Sequence, residues 1–225
     1  MKSDIPIITI DGLSSSGKTT ISKMLSKRMG WNLLDSGKLY RAIGYLVNKK
    51  SIDIKQKSKV ESLIQNLKLD TSFGETEYKI FYINEDISIY LENEEIGVYA
   101  SQVAKLEYIR SMLLPLQHSS LKKPGLIANG RDMGTKVFPN AQLKLFFTAS
   151  LEIRAKRRFL EMKDTGKHKN LEEILKSLKE RDESDINRKI SPLIPATDAQ
   201  IIDSSNLNIE TVLDKISKLY TISEA

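Results

Sequence analysis

The chain has 225 residues, 40% of them hydrophobic and 28% charged, a balance typical of a folded globular protein. It lacks cysteine, which excludes disulfides and thiolate metal sites, and no apolar run reaches the roughly 18 residues that a membrane-spanning helix needs. Its net charge of +6 favours anionic partners: nucleic acid, a membrane surface or small phosphates.

The N-terminal stretch MKSDIPIITIDG carries an acid at Asp4 and lacks a small-residue cleavage signal. We therefore expect a core strand rather than a signal peptide, and a cytoplasmic protein. The apolar run at 5–10 is continuous, which predicts a strand buried on both faces of a parallel sheet. Apolar residues at helical spacing then indicate a helix that stops at Gly30.

The next segments alternate in the same way. WNLL predicts a second short strand, and KLYRAIGYLVNKK and KSKVESLIQNLK predict helices. Between about residues 67 and 98, YKIFYIN and ISIYLEN are rich in Ile, Tyr and Phe, which predicts a hairpin or a small antiparallel sheet. A helical region follows from Ala100 to Ser120.

The second half continues with GLIAN and LKLFFTA, which predict two further strands. LEIRAKRRFLEMK and LEEILKSLKERDESDINRKI predict charged helices joined by the polar loop DTGKHKN, and a strand, AQIID, and a helix, IETVLDKISKLY, complete the pattern. The alternation of strands and helices predicts an α/β protein with a parallel sheet and the middle segment as an insert.

Residues Gly12 to Thr19 match the pattern G-x-x-x-x-G-K-T and lie between a predicted strand and a predicted helix. This context indicates a phosphate-binding P-loop, whose glycines let backbone N–H groups surround phosphate oxygens. Lys18 can reach the β and γ phosphates, and the Thr19 hydroxyl can bind Mg²⁺. A chance glycine–serine turn would not explain the flanking strand and helix. The motif predicts nucleotide binding but does not define the reaction.

Polar clusters follow two more of the predicted strands, and the carboxyl ends of parallel strands are where ligands gather in such sheets. The first cluster contains Ser36, Tyr40 and Arg41, and the second contains Arg131 and Asp132. Because the planar guanidinium makes paired hydrogen bonds with phosphate, these arginines favour a second anionic ligand.

A third cluster, Arg181, Asp185 and Arg188, has the spacing i, i+4 and i+7, which places the three on one face of a predicted helix. Taken alone, this spacing is also that of a surface salt-bridge ladder. Because the sequence also contains a P-loop and two further arginine clusters, this third cluster supports a site for a second anionic ligand.

Six segments, in order, resemble bacterial cytidylate kinase from about Ile5 to Ile216: IDGLSSSGKTT, LLDSGKLYRA, LIANGRDMGT, VFPNAQLKLFFTAS, ERDESDINRKISPL and IIDSS. The resemblance is to the long form with an insert in its nucleoside monophosphate (NMP) region. It implies a P-loop NMP kinase fold: a parallel five-stranded sheet flanked by helices, a small antiparallel β insert and a lid. It further implies one kinase domain over 1–225, an NMP-binding region at 37–120 with the insert at about 67–98, and a lid at 154–170.

The same resemblance implies Mg²⁺-dependent transfer of the γ-phosphoryl group of ATP to CMP or dCMP, giving ADP and CDP or dCDP. The partners would be these small molecules, with no nucleic acid and no membrane, and the protein would be a monomer. The catalytic residues implied are Lys18, Arg131 and Arg188, with Thr19 binding Mg²⁺ together with the ATP phosphates.

The residues that match ATP-binding positions of the family are Gly12, Leu13, Ser14, Ser15, Ser16, Gly17, Lys18, Thr19, Thr20, Arg154 and Arg157. Those that match CMP-binding positions are Ser36, Tyr40, Arg41, Ser101, Arg110, Arg131, Asp132, Arg181, Asp185 and Arg188. Of the CMP set, Arg41, Arg131 and Arg188 match positions that hold the phosphate, and Ser101, Arg110 and Asp132 match positions around the base.

The base assignment has a chemical reason. A carboxylate at Asp132 can accept from the cytosine N4 amino group, and Arg110 can donate toward N3. Uracil reverses both features, which would leave polar groups unpaired, so we expect UMP to be a much poorer acceptor.

Leu13 stands where the family commonly has proline, and Lys38 where it usually has a small residue. Two further departures are Ser15, where a glycine is common, and Asn129, where an aspartate usually precedes GRD. They leave open a protein that kept the fold but lost activity. The sequence is also compatible with a kinase for a different monophosphate, such as UMP or AMP, and with a P-loop regulatory or nucleic-acid-binding module that uses the +6 charge.

Overall fold

The computed structural model describes residues 5–70, 79–164 and 170–224. The strands are β1 Ile7–Gly12, β2 Asn32–Asp35, β3 Leu67–Asp70, β4 Lys79–Tyr82, β5 Glu85–Asp86, β6 Leu126–Asn129, β7 Leu143–Thr148 and β8 Gln200–Asp203. The α-helices are α1 Lys18–Met29, α2 Ser36–Lys49, α3 Lys57–Gln65, α4 Glu94–Val103, α5 Glu107–His118, α6 Leu151–Asp164, α7 Leu171–Ile186 and α8 Ile209–Glu224.

Strands β2, β6, β1, β7 and β8 form one parallel sheet in that order, and β3, β4 and β5 form a small antiparallel sheet. Both sheets were predicted from the sequence, and both predictions are confirmed. β1 is buried along its whole length, as its unbroken run of apolar residues indicated. No helix within the described ranges is long and apolar enough to cross a bilayer.

The chain divides into two compact units, and the described part of the first comprises 5–7, 26–70 and 79–129. Its core includes the apolar face of α2, with Ile43 and Leu46 almost completely buried. Trp31 packs directly on Gly125, where a Cβ atom would lie 2.3 Å from the indole ring. Only glycine therefore fits at the entrance to β6 beside this side chain.

The described part of the second unit comprises 8–25, 130–164 and 170–224 and contains β1, β7 and β8 in parallel register. Helices α6 and α7 pack together through Ala155, Met162, Ile174 and Leu178. Helix α7 begins at a capping box, in which the Asn170 side chain accepts from the Glu173 backbone N–H at 2.8 Å. The predicted lid, 154–170, lies partly outside the described residues, because the structure describes it only over 154–164 and at 170.

One prediction for the insert is wrong, because ISIYLEN does not form a strand. Residues Ser88–Glu92 form a short 3₁₀ helix and α4 begins at Glu94, before the predicted end of the insert at 98. The Asp86 carboxylate accepts from the Ser88 N–H, and the Ser88 hydroxyl accepts from the Ile80 N–H, both at 2.9 Å. These side-chain bonds take the place of ladder bonds and turn the chain out of the sheet.

The prediction that Arg188 shares a helix face with Arg181 and Asp185 is also wrong. Helix α7 ends at Ile186, where Asn187 caps it. Beyond the cap the chain turns back, since the Leu193 N–H donates to the Asp185 carbonyl at 2.9 Å and Ser191 adopts φ 50°. Arg188 therefore lies in the loop that follows the helix.

Candidate active site

The P-loop leaves β1 at Gly12, which adopts φ 137°. A Cβ atom there would lie 2.0 Å from the Phe147 carbonyl oxygen, which also accepts the Leu13 N–H at 3.1 Å. Only glycine can occupy this position. Ser15 and Gly17 also have positive φ, 55° and 89°. A serine in this region carries a backbone cost of about 1 kcal/mol, which makes Ser15 a strained departure from the glycine of the family pattern.

Lys18 is 6% exposed and curls over the loop from the first turn of α1. Its ammonium group donates to the Leu13 carbonyl at 2.5 Å and lies 3.4 Å from the Ser16 hydroxyl. Phosphate oxygens are better acceptors for this cation than a carbonyl, so a bound polyphosphate can take their place. The N–H groups at the start of α1 add to the positive potential around the loop. Thr19 and Thr20, which follow Lys18, are exposed.

Arg131 joins the P-loop to a cluster of charged residues in the same unit. One guanidinium nitrogen donates to the Gly12 carbonyl at 2.5 Å, and Nε donates to the Asp185 carboxylate at 2.9 Å. Arg188 approaches the other oxygen of Asp185 at 3.8 Å and donates through Nε to the Ser191 carbonyl. Three predicted residues thus meet beside the first residue of the loop.

Asp185 carries the negative charge of this cluster. Burial raises its pKa, but the positive charges of Arg131, Arg181 and Arg188 outweigh burial and hold the pKa below its ordinary value. Asp185 is therefore an anion at neutral pH that orients guanidinium groups, and one carboxylate among three arginines leaves a net positive site. Arg181 lies on a helix, α7, as predicted from the sequence, and it is half-buried.

The structure places two further predicted residues, Arg154 and Arg157, against the P-loop. Arg154, only 4% exposed, donates to the Ser14 carbonyl at 3.2 Å and to the Asp182 carboxylate at 2.6 Å. Arg157 donates to the hydroxyl and the carbonyl of Ser204, at 3.0 and 2.6 Å.

Ser204 and Asp182 were not identified from the sequence, although both support predicted residues. The Ser204 hydroxyl donates to the Ser16 carbonyl at 2.9 Å and so ties Arg157 to the loop. Asp182 is one residue from Arg181 in a helix rich in charge, and nothing in the pattern separates it from the exposed acids around it. Ser204 follows β8 within the segment IIDSS, and its position after a strand is the signal that was available.

Asp11 is the third functional residue that sequence reasoning missed. Its two carboxylate oxygens accept the N–H groups of Met133 and Gly134 at 2.9 and 2.8 Å. Burial raises its pKa to about 6, against the two hydrogen bonds, which lower it. An acid at the end of an otherwise apolar buried strand was the available signal. Asp132, which precedes these amides, is itself buried.

In the first unit the structure brings together some of the residues predicted to bind CMP. The Arg110 guanidinium lies 5.2 Å from the centre of the Tyr40 ring and donates to the Ala104 carbonyl at 2.9 Å. Ser36, at the start of α2, accepts from the Gln117 side chain at 2.8 Å, and Ser101 is half-buried in α4.

Arg41 is held in the same unit by main-chain oxygens. It donates to the carbonyls of Leu91 and Asn93 at 2.7 and 2.9 Å. Gly97 leaves room for its guanidinium, since a Cβ atom at that glycine would lie 3.1 Å from a terminal nitrogen of Arg41. Asn129 is buried at the carboxyl end of β6.

A parallel sheet whose first strand runs into a G-K-T loop at a helix N-terminus, with arginines against that loop, defines a P-loop kinase. The crystal structure of TT1252 from Thermus thermophilus shares the fold, with a TM-score of 0.50 and 17% identity over 99% of this chain and 100% of that one.

Residues 8–222 match the family described as Cytidylate kinase. The cytidylate kinase of Stutzerimonas stutzeri is 44% identical over 94% of this chain and 93% of its own length. That of Pseudomonas fluorescens is 45% identical, again over 94% of this chain and 93% of its own length. The chain belongs to the cytidylate kinase family, which confirms the resemblance found in its motifs.

Proposed function

We propose that this protein transfers the γ-phosphoryl group of ATP to CMP or dCMP, giving ADP and CDP or dCDP. The observation that carries the proposal is the bond from Arg131 to the Gly12 carbonyl, which sets an arginine of the acceptor cluster against the donor loop. Family membership supports the same reaction.

On the donor side, the N–H groups of the P-loop and of the first turn of α1 bind the ATP phosphates. Lys18 exchanges its contact with the Leu13 carbonyl for the β and γ phosphates. Arg154 and Arg157, which bind the Ser14 carbonyl and Ser204, hold the loop and add positive charge to it.

On the acceptor side, Arg131 and Arg188 bind the CMP phosphate with Arg41, and Asp185 orients the first two. Arg181 and Asp185 match family positions near the ribose, and we assign them that role. An oxygen of the CMP phosphate attacks the γ-phosphorus in line with the leaving ADP oxygen. Negative charge spreads over the equatorial oxygens, where Lys18, Arg131 and Arg188 stabilise it.

The donor set also fits Mg²⁺, because Thr19, an exposed residue with a hydroxyl group, directly follows Lys18, and oxygen is the ligand that this ion prefers. Among the described residues, no group of three or more His, Cys, Asp or Glu side chains is arranged to hold a metal. The remaining ligands would therefore be ATP phosphates and water. When bound, the ion neutralises charge on the phosphates.

We further propose that residues 154–170 act as a lid that excludes water from the phosphates, and that 37–120 form the NMP-binding region, with one kinase domain over the whole chain. The basic residues Arg154 and Arg157 at the start of the lid support this assignment. The protein would act as a monomer in the cytoplasm, to which its lack of cysteine is suited.

A substrate panel tests the proposed function. With ATP and Mg²⁺, ADP formation is measured against CMP, dCMP, UMP and AMP. We expect CMP or dCMP to be used well and UMP to have a kcat/KM lower by about 10²-fold or more, because uracil leaves Asp132 and Arg110 facing groups of the wrong polarity. Equal efficiency with UMP would refute this base assignment, and preference for AMP or UMP would establish a kinase for a different monophosphate.

A further inference from the structure

Three consecutive residues at the end of β1 hold the segment that follows β6 in sequence. The Ile10 carbonyl accepts the Gly130 N–H at 3.0 Å, and the Gly12 carbonyl accepts from the Arg131 side chain. Asp11, between them, turns its carboxylate to the next stretch of the same segment, Met133–Gly134.

These bonds bracket Asp132 on both sides. Arg131 before it is fixed to Gly12, and the amides of Met133 and Gly134 after it are fixed to Asp11. Asp132 itself is 3% exposed. A bracketed backbone leaves its carboxylate few directions in which to point, and a shift of about 1 Å in a positioning group can cost two orders of magnitude in rate.

We propose that Asp11 is a positioning residue that fixes Asp132 for recognition of the cytosine amino group and couples it to the first residue of the ATP-binding loop. This inference rests on the proposed function. Asp11 touches neither nucleotide; it acts through the backbone of Met133 and Gly134.

The Asp11 carboxyl is buried, and its neighbours act on its pKa. Burial is the largest influence on its pKa and raises it, Asp132 raises it further, and Lys18 lowers it. A carboxyl whose pKa rises on folding stabilises the fold below its ordinary pKa and loses that contribution as the pH rises through the folded value of about 6. At neutral pH the buried charge therefore costs stability. An uncharged residue of the same shape removes that cost, which offsets the loss of one of the two backbone hydrogen bonds.

The test is Asp11→Asn in the full chain, which keeps the shape but replaces one acceptor oxygen with an NH₂ group that faces an N–H donor. The variant and the wild type are compared by kcat/KM for CMP and for UMP and by melting temperature at neutral pH. The matched control is Thr9→Val. Thr9 is fully buried beside Gly134, and its hydroxyl makes no hydrogen bond within the described residues.

We expect Asp11→Asn to lower the CMP/UMP ratio of kcat/KM by at least about tenfold, with a melting temperature within about 4 °C of the wild type. Thr9→Val should leave the ratio unchanged. An unchanged ratio in Asp11→Asn would overturn the inference, as would a variant that does not fold, since either result assigns Asp11 a structural role. A wild-type protein that does not phosphorylate CMP would instead refute the proposed function.

Discussion

Lys18→Met is expected to lower kcat/KM for CMP phosphorylation by about 10³-fold while leaving the protein folded. The ammonium group lies against the loop itself, where it contacts the Leu13 carbonyl and the Ser16 hydroxyl. Methionine keeps the aliphatic stem, so the substitution leaves no large cavity at this buried position.

The matched control for this experiment is Lys27→Met, at an exposed position in the last turn of the same helix. It makes the same change in charge and should alter kcat/KM less than twofold, roughly the scale of a surface charge effect. Initial rates under subsaturating CMP and ATP give the comparison. If both variants lose activity equally, the effect is one of net charge and the assignment of Lys18 is wrong.

Arg131→Ala is expected to lower kcat/KM as strongly as Lys18→Met does, by about 10³-fold or more, mainly through a lower kcat. The substitution removes a guanidinium that binds both the Gly12 carbonyl and the Asp185 carboxylate. An acceptor phosphate and the donor loop would lose their shared contact, while Arg181 and Arg188 would still hold the charge of Asp185.

Arg28→Ala serves as the control, because it removes the same charge at an exposed position in the last turn of α1, outside the proposed site. Arg131→Lys separates charge from geometry, since lysine restores the charge but not the paired donors of the fork. A full recovery of kcat in Arg131→Lys would show that charge alone is needed, and an unaffected kcat in Arg131→Ala would remove Arg131 from the catalytic set.

The sequence was sufficient to predict structural elements whose signal lies within a few neighbouring residues. The continuous apolar run of β1, the glycine at the end of α1 and the G-x-x-x-x-G-K-T pattern each act within a few residues, and each lies where it was predicted. The P-loop pattern predicted the glycine at position 12, and the close approach of the Phe147 carbonyl is the reason that no other residue fits there.

The sequence was insufficient where side chains redirect the backbone or where partners are distant. The residues around Ser88 have a composition typical of a strand. The hydrogen bonds of Ser88 with Asp86 and Ile80 nevertheless end the antiparallel sheet at this point. Arg188 has helical spacing, but the helix ends two residues earlier. Asp11 and Asp132 are 121 positions apart, and only the folded chain shows that one holds the backbone next to the other.

Ser15 departs from the family pattern without disrupting the P-loop. The family pattern commonly has a glycine at this position, and the serine adopts the left-handed φ of 55° that favours glycine. The loop nevertheless keeps the internal bonds of Ser16 and Lys18 to the Leu13 carbonyl. The strain at Ser15 is therefore compatible with an intact phosphate loop.

Phosphoryl transfer between two nucleotides is tested most directly with ATP that carries a radioactive γ-phosphate, in the presence of Mg²⁺ and CMP. We expect the label to move to CDP, with little released as inorganic phosphate. Label that stays in ATP, or that appears as inorganic phosphate at a rate independent of CMP, would contradict it.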